Sequence, residues 1–276
     1  MVASLSADLD WTWTVLGAGT ILPRAGYGSA GHALRRGRGP VTLLDCGPGT
    51  VRALGRSEIG IEDVERVFVS HFHPDHWLDL LALAFARRNP ALASAPDLEI
   101  VGPRGLGEIL ERGAGLVGAR SWLRFERTTL TEVDPRGGAT PLERGAARFR
   151  WTATGHTPES VAWRADLEED GGSVAYTGDT GENPVVADFA RGVSLFVCEC
   201  SFPDEEAIEL HLTPSSAGRL AARAGCGRLL LTHFYPSLDP EAARRGAALH
   251  FAGTIEVARD GSVHALRPGA EGAFPI

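Results

Sequence analysis

The sequence predicts an α/β protein, and three observations carry that expectation. Short apolar runs bounded by Gly, Pro and Asp alternate with segments of helical apolar spacing. Many of the runs end in a histidine or a carboxylate, the position at which open α/β sheets gather their ligands. At 276 residues, 43% hydrophobic and 22% charged, the chain is long and apolar enough to bury a core without disulfides, and it is neither disordered, collagen-like nor coiled-coil in composition.

The elements follow in order. Strand WTWTVLG leads into a glycine-rich loop through Gly17, Gly19, Gly26, Gly28 and Gly31, and strand PVTLLDCG reaches Asp45. A helix starts at Thr50. Strand ERVFVS runs into His71-Phe72-His73-Pro74-Asp75-His76, and WLDLLALAFARR has the spacing of a helix that packs on a sheet until Asn89-Pro90 stops it. Strand LEIVGP and a helix over Gly105 to Arg112 close the first half. Gly113 to Arg144 reads as short strands and loops. The second half runs through strands ARFRWTATGH and ESVAWRAD, the hairpin signal EEDGGS, strands VAYTGDT and VSLFVCEC, helix SSAGRLAARAG and strand RLLLTHF. No repeat or linker divides the chain, so a single domain over 1–276 is expected.

Net charge is −8 and all 27 basic residues are arginine. An acidic chain gives no general field for a polyanion, which argues against a large nucleic-acid partner. No segment reaches the roughly 20 apolar residues of a membrane span, and MVASLSADLDWTWT lacks the basic leader and apolar run of a signal peptide. A cytoplasmic protein is expected. Cys46, Cys198, Cys200 and Cys226 are few and irregularly spaced, which suits buried reduced thiols better than a disulfide framework or a thiolate metal site.

The chemistry concentrates in His71 to His76, where three imidazoles and a carboxylate follow a strand within six residues. Imidazole nitrogen and carboxylate oxygen are the donors that zinc and similar divalent ions accept. One tetrahedral ion cannot readily use all four groups from so tight a turn; two neighbouring ions can. His156, Asp179 and His233 stand at comparable strand ends and become meaningful beside this cluster. Nothing gives His32, His250 or His264 a ligand role.

The H-x-H-x-D-H motif after a strand resembles the signature of the metallo-β-lactamase fold superfamily. TLLDCGPGT at Asp45, TGHT at His156, YTGDT at Asp179 and LLLTHF at His233 resemble that family's other motifs in the same order. The resemblance implies a four-layer αββα sandwich. It implies one divalent ion on His71, His73 and His156, a second on Asp75, His76 and His233, and Asp179 bridging them. Zinc is the default for such N/O donors, with manganese or iron as alternatives. Two cations roughly 3.5 to 4 Å apart would lower the pKa of a shared water toward about 7, making it the nucleophile. Asp45 would orient a histidine from behind.

Within the superfamily, CECSFPDEEAIELHLTPSS resembles the ribonuclease Z group, where a glutamate and a histidine pair beside the metals; the matching residues are Glu199 and His211. The pair would assist departure of a phosphodiester oxygen, so Glu199, His211 and the ligand Asp75 are the catalytic candidates. Two departures stand out. Trp77-Leu78 adds bulk where that group has a small glycine-containing step. Only 22 residues, 157–178, separate His156 from Asp179, with no room for the protruding arm that grips transfer RNA in that group. Gly113 to Arg144 lacks such an arm's glycine- and proline-rich basic run, although Arg120, Arg124 and Arg127 are locally basic. The expected activity is therefore a dinuclear phosphodiesterase for small phosphodiesters such as cyclic nucleotides or short nucleotide esters. The alternatives are a lactone, thioester or sulfate-ester hydrolase, or a tRNA 3′-processing endonuclease. The resemblance also implies a homodimer.

Overall fold

The computed structural model describes residues 10–116, 127–137, 140–169 and 172–267. Its chain clusters into two compact units, Met1–Pro135 with Arg259–His264, and Arg136–Ala258 with Ala265–Ile276.

In the first unit, β1 (Trp11–Gly17), β2 (Gly31–Arg36) and β3 (Val41–Cys46) pair antiparallel. Helix α1 (Thr50–Arg56) follows, and β4 (Val64–Phe68) lies parallel to β3. Helices α2 (Pro74–Trp77) and α3 (Asp79–Ala86) precede β5 (Leu98–Pro103), and α4 (Leu106–Leu116) precedes β6 (Thr128–Val133); β4, β5 and β6 are parallel. Every residue of β3 is buried, as expected of a central strand covered on both faces. Leu43, Val67 and Ile100 from the sheet join Leu54, Leu80, Leu83 and Leu110 from the helices in one apolar cluster. Full burial of each such side chain is worth about 1.5–3 kcal/mol.

The second unit is also a mixed sheet. β7 (Leu142–Arg144), β8 (Ala147–Ala153), β9 (Val161–Leu167) and β10 (Ser173–Tyr176) form an antiparallel series. Helix α5 (Pro184–Phe189) leads to β11 (Leu195–Glu199), α6 (Pro214–Ala224) to β12 (Arg228–Thr232), and α7 (Pro240–Ala247) to β13 (Thr254–Val257); β10 to β13 run parallel. β10 and β11 are buried throughout, while Ala147 to Arg150 of β8 alternate buried and exposed. Finally, β14 (Val263–Leu266) lies beside β1, so the two seven-stranded sheets run β14-β1-β2-β3-β4-β5-β6 and β13-β12-β11-β10-β9-β8-β7.

Several elements differ from the sequence expectation. An unexpected strand, β2, begins at Gly31, where the glycine-rich loop ends; Gly31 is buried, and a Cβ there would overlap the Thr50 hydroxyl. The helix expected over WLDLLALAFARR is shorter: Trp77 ends α2, which opens at Pro74, and α3 runs only from Asp79 to Ala86. Asp79 instead accepts from the backbone N–H groups of Gly49 and Val51 at 2.9 and 3.0 Å, capping the start of α1 from another element. Helix α4 continues to Leu116, beyond the expected Arg112. Helices α5 and α7 were not anticipated, although Asn183-Pro184 and Asp239-Pro240 carry the cap-then-proline signature. Asn183 Oδ1 accepts from Val185 N at 2.9 Å and Asp239 Oδ1 from Ala242 N at 2.7 Å. Arg120, Arg124 and the tip of the EEDGGS hairpin lie outside the described residues. No helix among the described residues is long and apolar enough to cross a membrane.

Candidate metal centre

In the first unit the histidine cluster follows β4. Pro74 and Asp75 start α2, so the chain turns sharply and presents His71, His73 and His76 on neighbouring sides of one bend. The His71 ring centroid is 4.7 Å from that of His73 and 4.1 Å from that of His76. His71 and His76 are fully buried, Asp75 is buried and His73 is exposed. Behind them stands Asp45, buried in β3 with the left-handed φ of 58°. Its Oδ1 accepts from Ser70 N at 2.7 Å, while Oδ2 accepts from Ser70 Oγ at 2.8 Å and from His76 Nδ1 at 2.6 Å. A carboxylate only accepts, so Nδ1 of His76 carries the proton and Nε2 keeps its lone pair. Ser70 Oγ, its hydrogen given to Asp45, accepts from His71 Nδ1 at 3.0 Å, which sets the same tautomer there. Asp75 Oδ2 accepts from Ile21 N at 3.0 Å, tying the glycine-rich loop to this bend. Gly47 is required beside it, because a Cβ would overlap the Asp75 carbonyl. Trp77 is buried, and its indole N–H donates to Phe72 O at 2.9 Å.

In the second unit the candidates come from four strand ends. His156 Nδ1 donates to Leu210 O at 2.9 Å, again leaving Nε2 as the available donor atom. Asp179, in the buried turn after β10, directs its oxygens in two ways: Oδ2 lies 3.7 Å from His156 Nε2, and Oδ1 lies 3.5 Å from His233 Nε2. His233 follows β12 directly with a φ of 61°, a left-handed backbone that costs a non-glycine residue about 1–2 kcal/mol and here aims the ring.

Glu199 ends β11 and is fully buried. Its Oε1 accepts from Thr180 N at 2.7 Å and His211 Nδ1 at 3.0 Å. Its Oε2 accepts from Ser201 Oγ at 2.5 Å and Leu212 N at 3.2 Å. Ser201 Oγ in turn accepts from His233 Nδ1 at 3.0 Å. One buried carboxylate thereby fixes two imidazoles, His211 directly and His233 through Ser201. The sequence reading missed Ser201; its only signal is a hydroxyl two residues beyond a strand-end glutamate. Gly181 lets this region close, since a Cβ there would overlap the Glu209 carbonyl.

These residues fit a divalent ion by the chemistry of their donors. Two ligands on one tetrahedral ion, each at roughly 2.1 Å, stand about 3.4 Å apart. The 3.5 and 3.7 Å separations around Asp179 match that spacing and are too long for hydrogen bonds. Asp179, His211 and His233 offer atoms within 4.8 Å of one another. His211 differs from His156 and His233 in which nitrogen it turns toward Asp179: Nδ1, 4.0 Å from Oδ2, and that atom is already held by Glu199. The four cysteines are all buried free thiols. Burial pushes Cys46, Cys198 and Cys200 well up, and Cys226 up to about 12, so none is a ready thiolate.

Residues 42–234 match the profile of the β-lactamase superfamily domain. The chain belongs to that family. It is 31% identical over 256 residues to the uncharacterized protein Rv1339 of Mycobacterium tuberculosis, covering 92% of this chain and 88% of that one. It is 27% identical over 267 residues to the ribonuclease Z of Mycobacterium marinum, covering 90% and 95%. Among solved structures, the metallo-β-lactamase fold protein YhfI from Bacillus subtilis superposes with a TM-score of 0.79 at 26% identity, covering 93% and 99%. The two mixed sheets with their helices are the α/β sandwich of the metallo-β-lactamase fold, ribonuclease Z-like group. The chain is thus a hydrolase of a metal-dependent family, with His and Asp clusters suited to divalent ions.

Proposed function

We propose that the protein is a dinuclear phosphodiesterase for small phosphodiesters, such as cyclic nucleotides or short nucleotide esters. The observation that carries this reading is the Glu199–His211 hydrogen bond at 3.0 Å, next to Asp179. Family membership and the donor sets support His71, His73 and His156 on one ion and Asp75, His76 and His233 on a second, with Asp179 shared; zinc suits the N/O donors. The ions would supply charge neutralisation at phosphorus and an acidified water. The chain's own contribution is orientation and proton handling. Asp45 and Ser70 hold two imidazoles in the Nε2-donor tautomer, and Glu199 holds His211 at Nδ1. His211 in its imidazolium form, balanced by the Glu199 carboxylate at Nδ1, would give its Nε2 proton to the alkoxide oxygen as the P–O bond breaks, and be left as neutral imidazole.

The scarcity of chain for an RNA-gripping arm supports a small substrate. Between His156 and Asp179, Val161–Leu167 form β9 and Ser173–Tyr176 form β10. Arg127 is committed to its own unit, donating to Asp97 at 2.9 Å and to the Ala93 carbonyl at 2.5 Å. We place the enzyme in the cytoplasm as one hydrolase domain working as a homodimer; its four buried thiols support a reducing compartment. The test is hydrolysis of a cyclic nucleotide and of bis(p-nitrophenyl) phosphate by zinc-loaded and chelator-treated protein. Chelator-sensitive turnover is expected, and full activity after metal removal would overturn the reading. A second reading, tRNA 3′ processing, draws on the ribonuclease Z relatives; cleavage of a precursor tRNA in preference to the cyclic nucleotide would favour it. A lactone, thioester or sulfate-ester hydrolase would tolerate His211→Ala.

A further inference from the structure

Phe202 and Tyr235 stack on one another beside His211, with ring centroids 4.5 Å apart and planes inclined by 23°. Both rings are half-buried, whereas Phe234, between His233 and Tyr235 in sequence, is fully buried and belongs to the core. The His211 ring is 5.7 Å from Phe202 and 6.1 Å from Tyr235, inclined by 71° and 72°; the His233 ring is 6.0 Å from Tyr235, inclined by 78°. The stacked pair therefore lies beside the imidazole that the proposed reaction uses as its acid, with both planes steeply inclined to it.

We propose that Phe202 and Tyr235 form a stacking platform for a planar aromatic leaving group, so that the preferred substrates are phosphodiesters whose departing alcohol is a nucleoside. This rests on the phosphodiesterase reading, since His211 marks the leaving-group side only if it protonates the departing oxygen. A ribose attached to that oxygen carries its base toward rings about 6 Å from the imidazole. An offset stack continues naturally from a pair that is already stacked, and it accepts any base because every base has a π face. The pair brings no formal charge, so it selects for the planar group and not for a second phosphate.

The experiment compares adenosine 2′,3′-cyclic phosphate with ethylene glycol cyclic phosphate, which has no base, on the zinc-loaded protein. The readout is the ratio of their kcat/KM values. Stacking of one base corresponds to roughly a 5- to 150-fold change, and that loss of ratio is expected in Tyr235→Ala and in Tyr235→Leu, the second keeping apolar bulk in case the first fails to fold. Tyr235→Phe should retain the wild-type ratio, and in the two truncating variants the loss on the adenosine diester should lie in KM. An unchanged ratio, with both substrates slowed alike, would show that the pair only packs His211 in place and would overturn the proposal. A wild-type protein that hydrolyses neither diester defeats the phosphodiesterase reading instead. Calorimetry with adenosine 5′-monophosphate against inorganic phosphate then judges the platform alone. Tighter binding of the nucleotide that is lost in Tyr235→Leu upholds it, and equal binding of the two anions removes it.

Discussion

The two units offer similar donors by opposite routes. In the first, four candidates fall within six residues, and one proline-initiated bend presents them; Asp45 supports the bend from the adjacent strand. In the second, His156, Asp179 and His233 come from three separate strand ends; Glu199 holds His233 through Ser201, and the Leu210 carbonyl holds His156. A contiguous motif is fixed by local geometry, while a dispersed one depends on strand order and register. Errors of packing should therefore harm the second set more readily than the first.

The largest effect should come from deleting a donor in either set. His73→Ala and His233→Ala are each expected to lower kcat/KM by at least about 1,000-fold and to reduce bound metal measured by elemental analysis. If only one of the two loses activity, the units do not contribute equally and the comparison breaks. Next comes His211→Ala, with a loss of about 100- to 10,000-fold on an alkyl phosphodiester and a much smaller one on a p-nitrophenyl ester, whose leaving group needs no proton. Metal content should stay unchanged, which separates this residue from the ligands around it.

The supporting residues sharpen the contrast further. Asp45→Asn and Ser201→Ala should each weaken metal affinity by about 10- to 100-fold in a competition titration. Ser201→Thr should recover most of the loss, because the hydroxyl that joins His233 to Glu199 is restored. The smallest effect is expected on the surface of the second unit, where Arg219 donates to both oxygens of Glu182 at 2.7 Å and holds that carboxyl below its usual range. A carboxyl with a depressed folded-state pKa contributes stability above its unfolded pKa and loses it as pH falls through the folded value. Arg219→Ala should therefore cost less than about 1 kcal/mol at neutral pH by denaturant melts, and nothing once the carboxyl is protonated in acid.

The legibility of the elements follows the same division. LFVCE and RLLLT read as strands because each holds an apolar run of the kind a buried central strand needs, and WTWTVLG and VTLLDC because they are rich in aromatic, β-branched and apolar residues. GHALRR of β2 was hidden by glycines on one side and arginines on the other; its place is set by pairing with β1 and β3. The break between α2 and α3 was equally hidden, since the apolar spacing runs across it and only the Asp79 cap on α1 marks the boundary. The starts of α5 and α7 are legible in the sequence, since Asn-Pro and Asp-Pro are local signals. Ser201 was not readable, because its importance lies in what it touches.

The sequence by itself determined the chemistry available: a histidine-aspartate cluster, the strand-end donors, and a glutamate and histidine twelve residues apart, all matters of residue type and short-range order. The tertiary structure alone decided which atoms face one another. The tautomers imposed by Asp45, Ser70 and Leu210, the two-way reach of Asp179, the link from Glu199 through Ser201 to His233, and the stacking of Phe202 on Tyr235 each join residues on different elements. Hydrogen bonds and ring contacts act over a few ångströms, a distance that chain order sets only within a turn and that sheet register must set everywhere else.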